Sequence, residues 1–179
     1  MVFAARDHFE AGLEVPPDTR APSSGPLYQY IGDRLIDSFE LPRGPLRYYA
    51  WMAMPDSDTR KWFLCVNKGV GRRTVEEELP RVVAEIDSGH PSCLGLVCAR
   101  SSNPFDLGIN HQVLAWRYTA TSRRVVLWVY DPNQPDDDRA RLTFDRRDPR
   151  RGLQIAFSGS SKRVRGFFRV PWSPAVPPG

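Results

Sequence analysis

Leu107–Asp138, LGINHQVLAWRYTATSRRVVLWVYDPNQPDDD, is the stretch that decides the fold. Gln112–Tyr118 and Arg124–Tyr130 are rich in aliphatic, β-branched and aromatic residues, as strands are. The polar Thr119–Arg123 between them has the length a hairpin loop prefers. His111 opens the first strand, and Asp131-Pro132-Asn133 closes the second. In an antiparallel pair the start of one strand lies beside the end of the next. His111 and Asp131 are therefore expected at one edge of a sheet, within hydrogen-bonding reach. An imidazole held by a carboxylate is the orienting half of a catalytic triad, and no nucleophile is evident beside it. Asp-Pro-Asn is also an ordinary turn sequence, and Asn133 is a rival orienter, since an amide can hold an imidazole too.

Upstream of this hairpin the pattern is helical. Val2, Ala5, Phe9 and Leu13 mark one apolar stripe, with Gly12 as a C-cap. No capping residue precedes Val2, so this helix is expected to begin before the chain does. Glu14–Gly25 is a loop. Pro26 opens a second helix whose buried side should be Leu27, Ile31, Leu35 and Phe39. A third covers Pro45–Met54, with Leu46, a tyrosine (Tyr48 or Tyr49) and Met52 inward. Lys61–Val66 is ambiguous between strand and helical turn. Thr74 with Glu77 fits a capping box for a helix that carries Val82, Val83 and Ile86 and ends at Gly89, with Pro80 as a start or a kink.

After His90 the pattern becomes one of strands. Cys93–Ala99 is a buried strand, and Arg141–Phe144, Leu153–Phe157 and Gly166–Val170 follow the hairpin. Helices first and an antiparallel sheet after is an α+β order. The expected organisation is a single domain over residues 1–171, helical over 1–90 and sheet over 91–171, followed by a Pro-rich tail over 172–179.

Composition narrows the class. The chain has 179 residues, is 41% hydrophobic and 26% charged, and carries a net charge of +4, the profile of one globular domain. No apolar run approaches the roughly 18 residues that span a bilayer. The N-terminal residues lack the form of a signal peptide, so a cytoplasmic location with no membrane partner is expected.

The motif residues resemble a known family. Asn110-His111-Gln112-Val113-Leu114 followed by Val129-Tyr130-Asp131-Pro132-Asn133 resembles the base and orienter strands of papain-like cysteine peptidases. The pattern is close to that of the peptidases that process bacteriocin leaders. MVFAARDHFEAG, GPLYQYIGDRLIDSF and RGFFRV are similar to one bacterial branch, whose first helix begins Leu-Cys-Gly-Gly-Met. The resemblance implies a papain-like α+β fold and a thiol hydrolase acting on a peptide or protein. His111 would be its general base and Asp131 the orienter. It also implies that the nucleophilic cysteine, stabilised by a helix N-terminus, would stand just before Met1. This polypeptide is then expected to be inactive, or to serve as a non-catalytic binding module on the same fold.

Other residues carry less. Cys65, Cys93 and Cys98 form no metal pattern and are expected as buried thiols. Ser158-Gly159-Ser160-Ser161 lacks the strand–elbow–helix context of a serine nucleophile and is expected as a turn. The acidic run around Asp131, Asn133, Asp136, Asp137 and Asp138 lacks the glycine and terminal glutamate of a calcium loop. Arg146, Arg147, Arg150, Arg151, Lys162, Arg163 and Arg165 are interleaved with Asp145 and Asp148, and no aromatic stacking platform accompanies them. No metal, cofactor or nucleic-acid partner is expected. His8 is expected to be exposed and His90 to lie in a loop.

Overall fold

The structure is a computed structural model that describes residues 1–15, 23–61, 65–158 and 160–178, of Lys61 and Cys65 the backbone alone. The middle of the expected Glu14–Gly25 loop, the Cys65 thiol and Gly159 fall outside the described residues. Helices come first: α1 (Val2–Glu10), α2 (Pro26–Ser38) and α3 (Arg43–Ala53). A short antiparallel pair, β1 (Thr59–Lys61) with β2 (Cys65–Asn67), follows where the sequence was ambiguous. Val70–Arg73 (α4), a π turn over Thr74–Glu78 and α5 (Leu79–Asp87) then run end to end. The remaining strands are β3 (Ser92–Val97), β4 (His111–Ala120), β5 (Arg124–Tyr130), β6 (Arg141–Asp145), β7 (Ala156–Phe157) and β8 (Gly166–Arg169). They form one antiparallel sheet in the order β7-β6-β5-β4-β3-β8. This is an α+β protein. No described helix is long and apolar enough to cross a membrane.

Period-2 alternation sends one set of side chains to each side of the sheet. Leu94, Leu96, Val113, Leu127, Val129 and Leu142 face inward with α5 residues Leu79 and Val82 in one core. On the other side, Cys93, Val97, Leu114 and Phe168 pack against α1 and α3 through Val2, Phe3, Trp51 and Met52. Close packing of this kind leaves no room at Gly95 of β3. A methyl built there would meet the Tyr48 hydroxyl at 2.6 Å and the Phe168 ring at 2.8 Å.

Several expectations are corrected. The expected stripe of the first helix is buried at Val2 and Ala5 but not at Phe9 and Leu13. Val2 through His8 are all buried, His8 included, while Phe9 and Leu13 are exposed. Its charged residues can be buried because partners converge on them. Both oxygens of Asp7 are bonded by Arg34 at 2.6 and 3.0 Å, and Tyr30, the Trp172 indole and the Ala175 amide add three more donors. His8 donates from Nδ1 to the Ala4 carbonyl at 2.7 Å. Gly12, at φ 68°, ends the helix as expected. The Leu13 amide returns to the His8 carbonyl and the Gly12 amide to that of Phe9, the paired bonds of a Schellman cap.

The second helix is rotated from its expected position. Arg34 and Ser38 are its buried residues, Leu27 and Ile31 are half-buried, and Leu35 and Phe39 are exposed. The Arg34–Asp7 ion pair, not an apolar stripe, sets its orientation. In α3, Leu46 points outward, while Tyr48, Trp51 and Met52 are buried.

Thr74 is no N-cap either. The helix already runs from Val70, and the Thr74 hydroxyl bonds the Phe167 backbone of β8 at 3.2 and 3.3 Å. Glu77 instead pairs with Lys68 at 2.8 Å. The Pro-rich tail is docked: Trp172 lies under the Arg6 guanidinium at 4.2 Å, and the Ser173 carbonyl accepts from Arg34 at 2.6 Å.

Candidate functional site

The β4–β5 hairpin pairs Leu114 with Tyr130, so the residues one step beyond Tyr130 lie beside the opening of β4. There His111 Nε2 and Asp131 Oδ1 stand 2.7 Å apart. The Asp131-Pro132-Asn133 turn forms at the same place and shapes the acceptor. Gln134 N–H closes it on the Asp131 carbonyl at 2.8 Å, and Asn133 N–H donates to Asp131 Oδ1 at 2.9 Å. The turn and the orienting carboxylate are thus one structure. Asn133 contributes its backbone amide to Asp131, and the hydrogen bond to His111 comes from Asp131.

Asp131 is buried, which disfavours its charged form. The His111 and Asn133 hydrogen bonds outweigh that burial and hold the carboxyl below its ordinary value. An ionised Asp131 can only accept, so Nε2 of His111 carries the proton and Nδ1 presents the lone pair. No described residue hydrogen-bonds Nδ1. The Phe157 ring stacks on the imidazole, with centroids 6.4 Å apart and planes 30° from parallel.

The backbone beneath His111 is clamped from both sides. The buried Tyr48 hydroxyl donates to the His111 carbonyl at 3.1 Å, reaching it across Gly95. Asn110 accepts from the Cys98 and Ala99 amides at 3.0 and 3.3 Å and donates to the Leu107 carbonyl at 3.1 Å. Neither role is readable from the sequence. Asn110 had only its place beside His111 to mark it, and Phe157 nothing.

His111 lines a cleft of about 510 Å³ whose walls are mostly apolar: Leu35 of α2, Phe39 just past its end, Pro45 of α3, Leu107 and Pro132. Met1 and Val2, at the N-terminal end of α1, line the same cleft. The helix end and the imidazole therefore face one space. No described thiol lines it. Cys93 is buried, and burial pushes its thiol up to about 12. Burial also raises Cys98. Neither is a ready nucleophile. Ser38 does line the cleft, but its hydroxyl donates to the Leu35 carbonyl at 2.7 Å. Ser158 bonds the Arg139 carbonyl and the Arg141 amide. Among the described residues no three His, Cys, Asp or Glu side chains converge as a metal site. No family model, no curated protein and no solved structure matches this chain.

Proposed function

We propose that this chain is a papain-like thiol hydrolase domain in which His111 is the general base and then the general acid, and Asp131 orients it. The observation that carries the reading is the 2.7 Å His111–Asp131 hydrogen bond at a cleft onto which the N-terminal end of α1 also opens. A cysteine at that helix end would lose its proton to Nδ1, and the helix dipole and the imidazolium would stabilise the thiolate. Its sulfur would bond the carbonyl carbon of a peptide or protein amide. His111 would return the proton to the departing amine as the carbon–nitrogen bond breaks. Water, deprotonated by the same imidazole, would release the acid.

With no described thiol lining the cleft, the polypeptide of 179 residues is expected to show no thiol-hydrolase turnover. The test is to add Cys-Gly-Gly ahead of Met1 and follow alkylation by iodoacetamide from pH 5 to 9. A thiol that reacts at neutral pH faster than free cysteine, and loses that advantage with His111→Ala, supports the reading. Equal reactivity with and without His111 sinks it. A second reading, a non-catalytic peptide-binding module, is favoured by the apolar walls of the same cleft. Saturable peptide binding lost on Phe39→Ser, with no turnover by the extended protein, would support it.

A further inference from the structure

β4 carries a bulge between Ala115 and Arg117. Ala115 faces the inner core, and strict alternation would send Arg117 there too. The extra residue turns Arg117 to the outer face, a re-aiming that bulges commonly perform. There it enters a cross-strand row, Arg117–Trp128–Arg141, running across β4, β5 and β6. The Arg117 guanidinium sits 4.1 Å from the Trp128 ring centroid and 5.0 Å from that of Trp116. Arg117, Arg141 and Arg124, which lies on the same face of β5, are all exposed, and Trp116 keeps 40% of its surface in solvent.

Among the described residues no carboxylate pairs with these three arginines. Asp145, opposite Arg124, is taken by Arg147 at 2.7 Å and Arg123 at 3.3 Å. Held over the Trp128 ring, the Arg117 guanidinium has N–H groups that no described residue engages, the state in which guanidinium receives phosphate oxygens. The two indoles supply aromatic surface beside it.

We propose that this outer face of β4, β5 and β6 binds single-stranded nucleic acid. Arg117, Arg124 and Arg141 would take phosphates, and bases would stack on Trp116 and Trp128. An acidic peptide would satisfy the arginines and leave the indoles unused. A nucleotide chain repeats both a phosphate and a π face, and only unpaired bases can lie flat on the rings. The late arginines that drew attention in the sequence are a different set. This platform exists only once β4 has paired with β5.

The experiment is anisotropy titration of the full chain with fluorescein-labelled dT20 and rU20, starting at 50 mM salt. Binding is expected to weaken with added salt, with a log–log slope of about −2 for three phosphate contacts. Arg117→Gln with Arg141→Gln, and separately Trp128→Ala, should each weaken binding about tenfold or more. Arg146→Ala with Arg150→Ala should leave it within about twofold, since those side chains lie off this face. Thermal melts establish that each variant folds. If Trp128→Ala does not, Trp128→Phe keeps the stacking surface and should retain binding, and the paired arginine variant still decides. Absence of binding at 50 mM salt overturns the proposal. So does polyglutamate competing as well as unlabelled dT20, or affinity that follows Arg146 and Arg150.

Discussion

Asp7 and Asp131 are both buried carboxylates fixed by hydrogen bonds, and they represent two regions built on opposite plans. Asp7 is surrounded by donors from α2 and the tail, and its principal partner is a guanidinium that never loses its charge. The site is saturated and has nothing left to exchange. Asp131 holds an imidazole by one nitrogen and leaves the other, Nδ1, turned from the carboxylate. The first arrangement is a structural lock. The second has the form of chemistry awaiting a partner, and its support is spread over Tyr48, Asn110 and a turn. Similar burial therefore yields a fixed joint in one place and a candidate site in the other, and the number and kind of donors decide which.

Substitutions can break or sharpen this contrast. Asp7→Ala leaves the buried Arg34 with only the exposed Asp37 and the Ser173 carbonyl as partners and should cost about 3 kcal/mol in urea unfolding. A cost below about 1 kcal/mol would mean the lock is not one. Gly95→Ala forces a methyl against Tyr48 and Phe168. It should cost about 1–3 kcal/mol and shift the His111 ring resonances in NMR spectra, because the Tyr48 bond to the His111 backbone must move.

Asp131→Asn keeps a hydrogen-bonding group and should cost only about 1 kcal/mol. Its signature is in pH. The native carboxyl titrates below its unfolded value of 3.8, so its stabilisation is complete above that value and fades as pH falls toward the native one. The wild type minus Asn difference in stability should shrink as pH falls across that acid window. Leu35→Ser with Phe39→Ser, on the exposed cleft wall, should stay within about 0.5 kcal/mol while changing what the cleft binds.

The sheet was legible because alternation and turn residues are local. Arg124–Tyr130 coincides with β5, and the nearness of His111 to Asp131 followed from hairpin pairing alone. The helical half was less so. Its orientation depends on pairs far apart in sequence, such as Arg34 with Asp7 and Ser173, against which a stripe of Leu35 and Phe39 is a weak guide. Thr74 misled for a related reason: a threonine near a helix start usually caps, and here a strand backbone more than ninety residues on claims its hydroxyl. At the site, the sequence supplied the imidazole and the carboxylate. The clamp through Asn110 and Tyr48 needed coordinates, as did the bulge that turns Arg117 outward.

The tail docked on Asp7 has a consequence for synthesis. Trp172 and Ala175 supply two of the hydrogen bonds that make the buried charge of α1 tolerable, and Ser173 completes Arg34. None of them exists while the ribosome is still translating the sheet. α1 precedes them all in the chain yet is expected to lock only once Trp172–Ala175 can dock on it. A chain truncated after Val170 is therefore expected to form its sheet while α1 remains open to protease.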